Sequence, residues 1–160
     1  MQWITSQSNH YRTMKLTEDQ VKEVTENLKL GYTAYINPDT GDIKYLIDEG
    51  KYPDAREMFG EEMDEIDAWD YVAELREMPS FEAFRVMEDF AYKVDDDFHD
   101  DLMEALNKGK PFANFRELVE SSEYREEWFE YRNQRYLEYT ERLLKEEDIE
   151  FESNLEEDYE

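Results

Sequence analysis

Two β-rich runs, Tyr32-Thr33-Ala34-Tyr35-Ile36 and Asp42-Ile43-Lys44-Tyr45-Leu46-Ile47, flank the segment Asn37-Pro38-Asp39-Thr40-Gly41. This is the strongest local constraint on the fold. Proline early in the segment presets φ, and glycine late in it accepts a left-handed conformation, so the two runs fold back as an antiparallel hairpin. A lone hairpin is marginal in water and needs a further strand or an apolar helix face. The run Trp69-Asp70-Tyr71-Val72-Ala73-Glu74-Leu75 fits a helix or a strand by pattern alone. We assign it to a third strand over 70–75, completing a small antiparallel sheet. Oxygen-bearing side chains at alternate positions of the turn invite comparison with a calcium loop. A loop starting at Asn37 would need glycine at its sixth position and glutamate at its twelfth, where Asp42 and Asp48 stand.

The remaining pattern is helical. Thr17-Glu18-Asp19-Gln20 reads as a capping box opening a helix over 17–30, with Val21, Val24 and Leu28 on its apolar face and Gly31 at its end. Residues 48–68 are broken by Gly50, Pro53 and Gly60, and predict a loop with a short helical piece at 54–66. After Pro79, Ser80 is the expected N-cap of a helix with Phe81, Phe84, Met87, Phe90 and Ala91 in one apolar stripe. Asp95-Asp96-Asp97 leads into a helix over Phe98–Asn107, closed by Lys108-Gly109-Lys110. Pro111 suits a first helical turn, followed by Phe112, Phe115, Leu118 and Val119 on one face. Ser121-Ser122 breaks the pattern before one long helix from Glu123 to about Glu147. Tyr124, Trp128 and Tyr131 mark one face of it, and Phe129, Tyr136 and Leu143 another.

These elements predict an α+β fold: a small antiparallel sheet, the hairpin plus a third strand, packed against a mainly helical C-terminal half. Residues 1–15 read as a loose N-terminal arm, 16–147 as a single α+β domain and 148–160 as a frayed acidic tail. The stretch 102–131 is the expected packing hub, with Phe112, Phe115 and Trp128 inside.

Charge narrows the functional classes. The chain of 160 residues carries 44 acidic and 18 basic residues, a formal net charge of -26. Such a surface repels nucleic acid and anionic membranes, so neither is an expected direct partner. Aromatics at 15% supply the buried area that separates this chain from a disordered acidic one. Acidity is uneven: residues 105–145 hold eight acids and eight bases, whereas nine acids and no base follow Lys145. Cysteine is absent, which removes disulfides, thiolate catalysis and Cys-based zinc sites and fits a cytoplasmic protein. The N-terminus has no apolar h-region, and no apolar run approaches the roughly 18 residues that cross a bilayer.

A set of motifs resembles a known family. Ala105-Leu106 leads to Phe112 and Phe115, Trp128 opens the last helix, Thr40-Gly41 joins the two strands, and Met87 and Phe90 sit in the middle helix. Over roughly residues 16–144 this pattern is similar to the uncharacterised bacterial protein family UPF0158. Many relatives carry basic residues between the two phenylalanines, where Ala113 and Asn114 stand here. The resemblance implies the fold and a bacterial cytosolic setting, and it brings no catalytic residues.

No P-loop, dinucleotide-binding glycine turn, HExxH or nucleophile elbow is present. The group Asp95, Asp96, Asp97, His99, Asp100 and Asp101 is the most metal-like in the chain, but acids at a helix start are also what capping and the helix dipole favour. No metal site, cofactor or catalytic residue is therefore assigned. Three functions remain. The first is a small non-enzymatic binding or adaptor domain whose partner is another protein. Its candidate contact residues are Lys108, Lys110, Arg116, Arg132 and Tyr136, because charge balances there and because arginine and aromatic residues dominate interface energetics. The second is an acidic decoy that binds a basic nucleic-acid-binding protein. The third, a hydrolase using a carboxylate pair, is the least favoured, since 44 acids produce such pairs by chance.

Overall fold

A computed structural model describes residues 14–47, 52 and 54–155. The arm expected at 1–15 therefore lies outside the described residues up to position 13, as do Gly50, Pro53 and the last five residues of the acidic tail. The chain is α+β with a helical C-terminal half, and it clusters into two compact units. One holds the chain up to Glu77 together with Leu137 onward, and the other is Met78–Tyr136.

In the first unit, helix α1 spans Glu18–Lys29. Its capping box is complete: Thr17 Oγ1 accepts from the Gln20 N–H at 3.1 Å, and Gln20 Oε1 accepts from the Thr17 N–H at 2.9 Å. Val21, Val24 and Leu28 are fully buried, and the helix packs on strand β1 (Tyr32–Ile36). Gly31 links them with φ +95, a conformation that glycine adopts without a Cβ penalty. Strand β2 (Ile43–Ile47) pairs antiparallel with β1, Tyr32 opposite Ile47 and Ile36 opposite Ile43. Asn37 organises the turn. Its side-chain oxygen accepts from the Asp39 N–H at 2.9 Å, while its carbonyl accepts from Gly41 N–H at 2.7 Å and Gly41 takes φ +84.

Short helices follow at Ala55–Met58 (α2) and Gly60–Asp67 (α3), and Glu65 of α3 pairs with Lys44 of β2 at 3.1 Å. The third strand, β3, is present but covers only Ala73–Leu75. It pairs with the free edge of β1, giving the order β2-β1-β3. Asp70, Tyr71 and Val72, expected in that strand, are exposed and precede it. Central placement explains why Ala34 and Ile36 of β1 are fully buried.

The second unit contains helices α4 (Ser80–Ala91), α5 (Asp96–Leu106) and α6 (Pro111–Glu120). The last helix, α7 (Arg125–Glu146), begins in this unit and ends in the first. Trp128 is the centre of the core here. Its ring meets Phe90 edge to face at 5.3 Å between centroids and Phe115 at 4.9 Å. All three rings are almost completely buried, with Leu102 and Val119 beside them in the buried set.

Several local expectations are corrected. Pro79, not Ser80, occupies the N-cap position of α4, with φ -64 and ψ 153, and no side chain caps the helix. Phe81 and Leu118 are exposed, at 76% and 37%, and Phe112 is half-buried. Successive steps of three residues rotate about 60° backward around a helix of 3.6 residues per turn. Phe81 therefore ends up opposite Phe90, and Leu118 is carried away from Phe112. The buried set on α6 is Phe115 and Val119, whose spacing of four residues stays on one face.

The left-handed residue between α5 and α6 is Lys110, with φ 57 and ψ 54. At the chain's other end, residues 149–155 of the tail are not frayed. Ile149 is buried, and Leu16 and Phe151 form a parallel bridge. Apolar residues at alternate positions and the open backbone of Leu16 hold this segment.

Candidate protein-binding surface

Two helices of the second unit expose rings at the same end of their sequence pattern. On α4, Phe81 is 76% exposed and Phe84 half-buried. On α6, Phe112 is half-buried and meets Phe84 edge to face, the centroids 6.5 Å apart. Each helix repeats one spacing: Arg85 stands four residues after Phe81, and Arg116 four after Phe112. Residues four apart share a helix face, so Arg85 shares the face of Phe81 and Arg116 that of Phe112. Arg85, Arg116 and Lys110 are exposed and make no ion pair among the described residues. Lys110 stands directly before Pro111 and Phe112, where the left-handed backbone starts α6.

The five residues expected from sequence divide. Lys110 and Arg116 are exposed, one at the N-cap of α6 and one within it, on the helix that carries Phe112. Lys108 does not act as an open cation. It lies 3.9 Å from Glu104, one turn away on the same stretch, and lines a groove of about 270 Å³ whose rim includes Asp101, Glu104 and Glu117. The carboxylates there outnumber the ammonium, so the groove does not favour an anion.

Arg132 and Tyr136 do come together, the guanidinium carbon 5.9 Å from the ring centroid, but Tyr136 is only 7% exposed. Its phenolic oxygen accepts a hydrogen bond from the Met78 N–H at 2.8 Å. Tyr136 is therefore a core residue and not a contact residue. Sequence reasoning missed Phe81, Phe84 and Arg85. The repeated ring-plus-four arginine spacing was the available signal.

The acidic group at 95–101 is used structurally. Asp95 is the N-cap of α5 and accepts from the Phe98 N–H at 2.9 Å, and Tyr124 Oη donates to its other carboxylate oxygen at 3.0 Å. The Phe98 hydrogen bond and the Tyr124 hydroxyl hold the Asp95 carboxyl below its ordinary pKa. His99 Nδ1 lies 2.6 Å from the Ala91 carbonyl oxygen, which can only accept, so this nitrogen carries the proton. The ring is tilted 46° to that of Tyr92, the centroids 4.7 Å apart. Among the described residues no group of three or more His, Asp or Glu side chains is arranged to hold a metal ion. Also among them, no helix is long and apolar enough to cross a membrane.

A hydrolase would need two facing carboxylates removed from water. The acid buried among the described residues is Glu141, whose oxygens accept from Ser153 and Asn154.

A family model described as an uncharacterised protein family, UPF0158, matches residues 31–160. Comparison with curated proteins and with solved structures gave no match.

Proposed function

We propose that this chain, which belongs to the UPF0158 family, is a small non-enzymatic protein-binding domain working in the bacterial cytoplasm. The observation that carries the reading is Phe81, 76% exposed beside the half-buried Phe84–Phe112 pair. Leaving a large ring in water forgoes about 1.5–3 kcal/mol of burial, a loss recovered when a partner covers it. Aromatic rings bordered by arginine are the composition of binding hot spots. Arg85, Arg116 and Lys110 are exposed on the same two helices and supply the cations that a polar interface rim uses. The fitting occupant is an acidic amphipathic helix of a partner protein, with its apolar face on the rings and its carboxylates on the rim. A cytosolic setting agrees with the absence of cysteine.

A synthetic amphipathic helix with leucine on one face and glutamate on the other is the direct probe. Titrated into isotopically labelled protein, it should shift the resonances of Phe81, Phe84 and Phe112. Binding should weaken as salt is raised. It should be lost in Phe81→Ser and in the double charge reversal R85E/R116E. A peptide with lysine in place of glutamate should not bind. Absence of shifts, or shifts elsewhere that persist in both variants, overturns the assignment.

A further inference from the structure

Helices α5 and α6 leave a groove of about 270 Å³ between them. Asp101, Glu104 and Ala105 line it from α5, and Lys108 from the turn that follows. Asn114, Glu117 and Leu118 line it from α6. Ala105 is buried and Leu118 is 37% exposed, so part of the wall is apolar and open to water.

The polar groups around it are mostly acceptors. Three are carboxylates, and those of Asp101 and Glu117 make no hydrogen bond or ion pair among the described residues. Asn114 Nδ2 donates to the Gly109 carbonyl at 2.8 Å. Its nitrogen is thus engaged with the chain, and its side-chain oxygen is the acceptor left over. The donor in this lining is the Lys108 ammonium. At 3.9 Å from Glu104 it is too far for a hydrogen bond. Such a lining calls for a cation rich in donors and without acceptors. The carboxylates are not arranged for a metal ion, since no group of three among the described residues could hold one.

We propose that this groove takes an arginine side chain from a basic segment of a partner protein. A guanidinium carries five N–H donors and no acceptor, and it can meet a carboxylate through two parallel hydrogen bonds. Its methylene stem covers Ala105 and Leu118, as long cationic side chains do on apolar surface. The volume of about 270 Å³ suits one long side chain and falls below the roughly 300–1,000 Å³ of small-molecule pockets. Lys108 is the chain's own version of the occupant, an aliphatic stem ending in a cation near Glu104. A guanidinium displaces it at little cost, because the ammonium gives up no hydrogen bond there. The net charge of -26 draws basic segments toward the surface from a distance. The groove shares no residue with the Phe81 face, so the two assignments stand or fall separately.

A short blocked peptide with two arginines among alanines, titrated into the isotopically labelled full chain, tests this. The methyl resonances of Ala105 and Leu118 and the side-chain amide of Asn114 should shift, and those of Phe81 should not. The same peptide with citrulline, which keeps the shape and loses the charge, should not bind. E104Q/E117Q should weaken binding about fivefold or more. E57Q/E61Q makes the same charge change on exposed acids of α2 and α3, and should leave binding within about twofold. Lys108→Ala removes the competing ammonium and should tighten binding about twofold. The response of Phe81 to the leucine–glutamate helix should be unchanged in E104Q/E117Q. Equal loss in the two glutamine pairs would mean attraction by net charge alone and overturns the proposal. Shifts confined to other residues, equal binding of the citrulline peptide, or no gain in Lys108→Ala overturns it as well.

Discussion

The Tyr136 hydroxyl oxygen takes the backbone N–H of Met78 at 2.8 Å, joining residues 58 positions apart in the sequence. Both are buried, at 7% and 8% exposure, so the bond is shielded from water. Tyr136→Phe should leave that N–H without its partner and cost about 1–2 kcal/mol, read as a lower urea midpoint with an unchanged slope. A loss below a few tenths would mean that water replaces the hydroxyl.

Phe81 and Trp128 should behave as opposites. Trp128→Ala removes the ring that both Phe90 and Phe115 touch and should cost about 3–5 kcal/mol. Phe81→Ser should change stability by no more than about 0.5 kcal/mol, since the ring is mostly in water. Chemical denaturation of both variants checks the contrast.

Lys110 holds φ 57, in the left-handed region where a side chain costs about 1–2 kcal/mol. Lys110→Gly relieves that strain but frees the unfolded chain, which returns about 0.5–1 kcal/mol. A net gain of roughly 0.5 kcal/mol is expected, seen as a small rise in Tm. Lys110→Val, β-branched at the same φ, should lower Tm.

Thr17→Ala should break the capping box at the start of α1 and cost about 1 kcal/mol. Thr17→Asp should keep most of it. Thermal melts followed by circular dichroism separate the two.

Asp95 should give the acid limb of stability a local signature. Its folded-state pKa is lowered by the Phe98 hydrogen bond and then by the Tyr124 hydroxyl. The carboxylate therefore contributes stability at neutral pH, and this is lost as pH falls from the usual carboxylate range through the lower folded value. Asp95→Asn should flatten that part of the stability–pH curve. A curve parallel to wild type below the carboxylate range would show that Asp95 is not linked to folding.

Local chemistry made much of the fold legible. The capping box, the Pro-and-Gly turn and the Pro111 start each need only neighbours in sequence, and each is where expected. The buried rings Phe115 and Trp128 were also readable, because large aromatics in a helical pattern have few alternatives to burial. The candidate surface was read less well. Phe81 was assigned inside and is exposed, while Tyr136, named as a contact residue, is buried. For Phe81 the cause is a three-residue stripe that looks continuous in sequence while its azimuth drifts around the helix; for Tyr136 it is the distant Met78 N–H that its hydroxyl accepts. Which part of the drift is buried depends on neighbours that sequence does not reveal.

The sequence by itself determined most elements of this protein, the capping box of α1 and the hairpin turn, its acidic field and the rings available for a core. Those follow from backbone geometry and side-chain chemistry within a few residues. Only the tertiary structure decided that β3 joins the free edge of β1, that Phe81 stays in water, and that Glu141 lies buried under Ser153 and Asn154. Each of these depends on groups distant in the chain competing for the same apolar surface and the same hydrogen-bond donors, and folding settles that competition all at once.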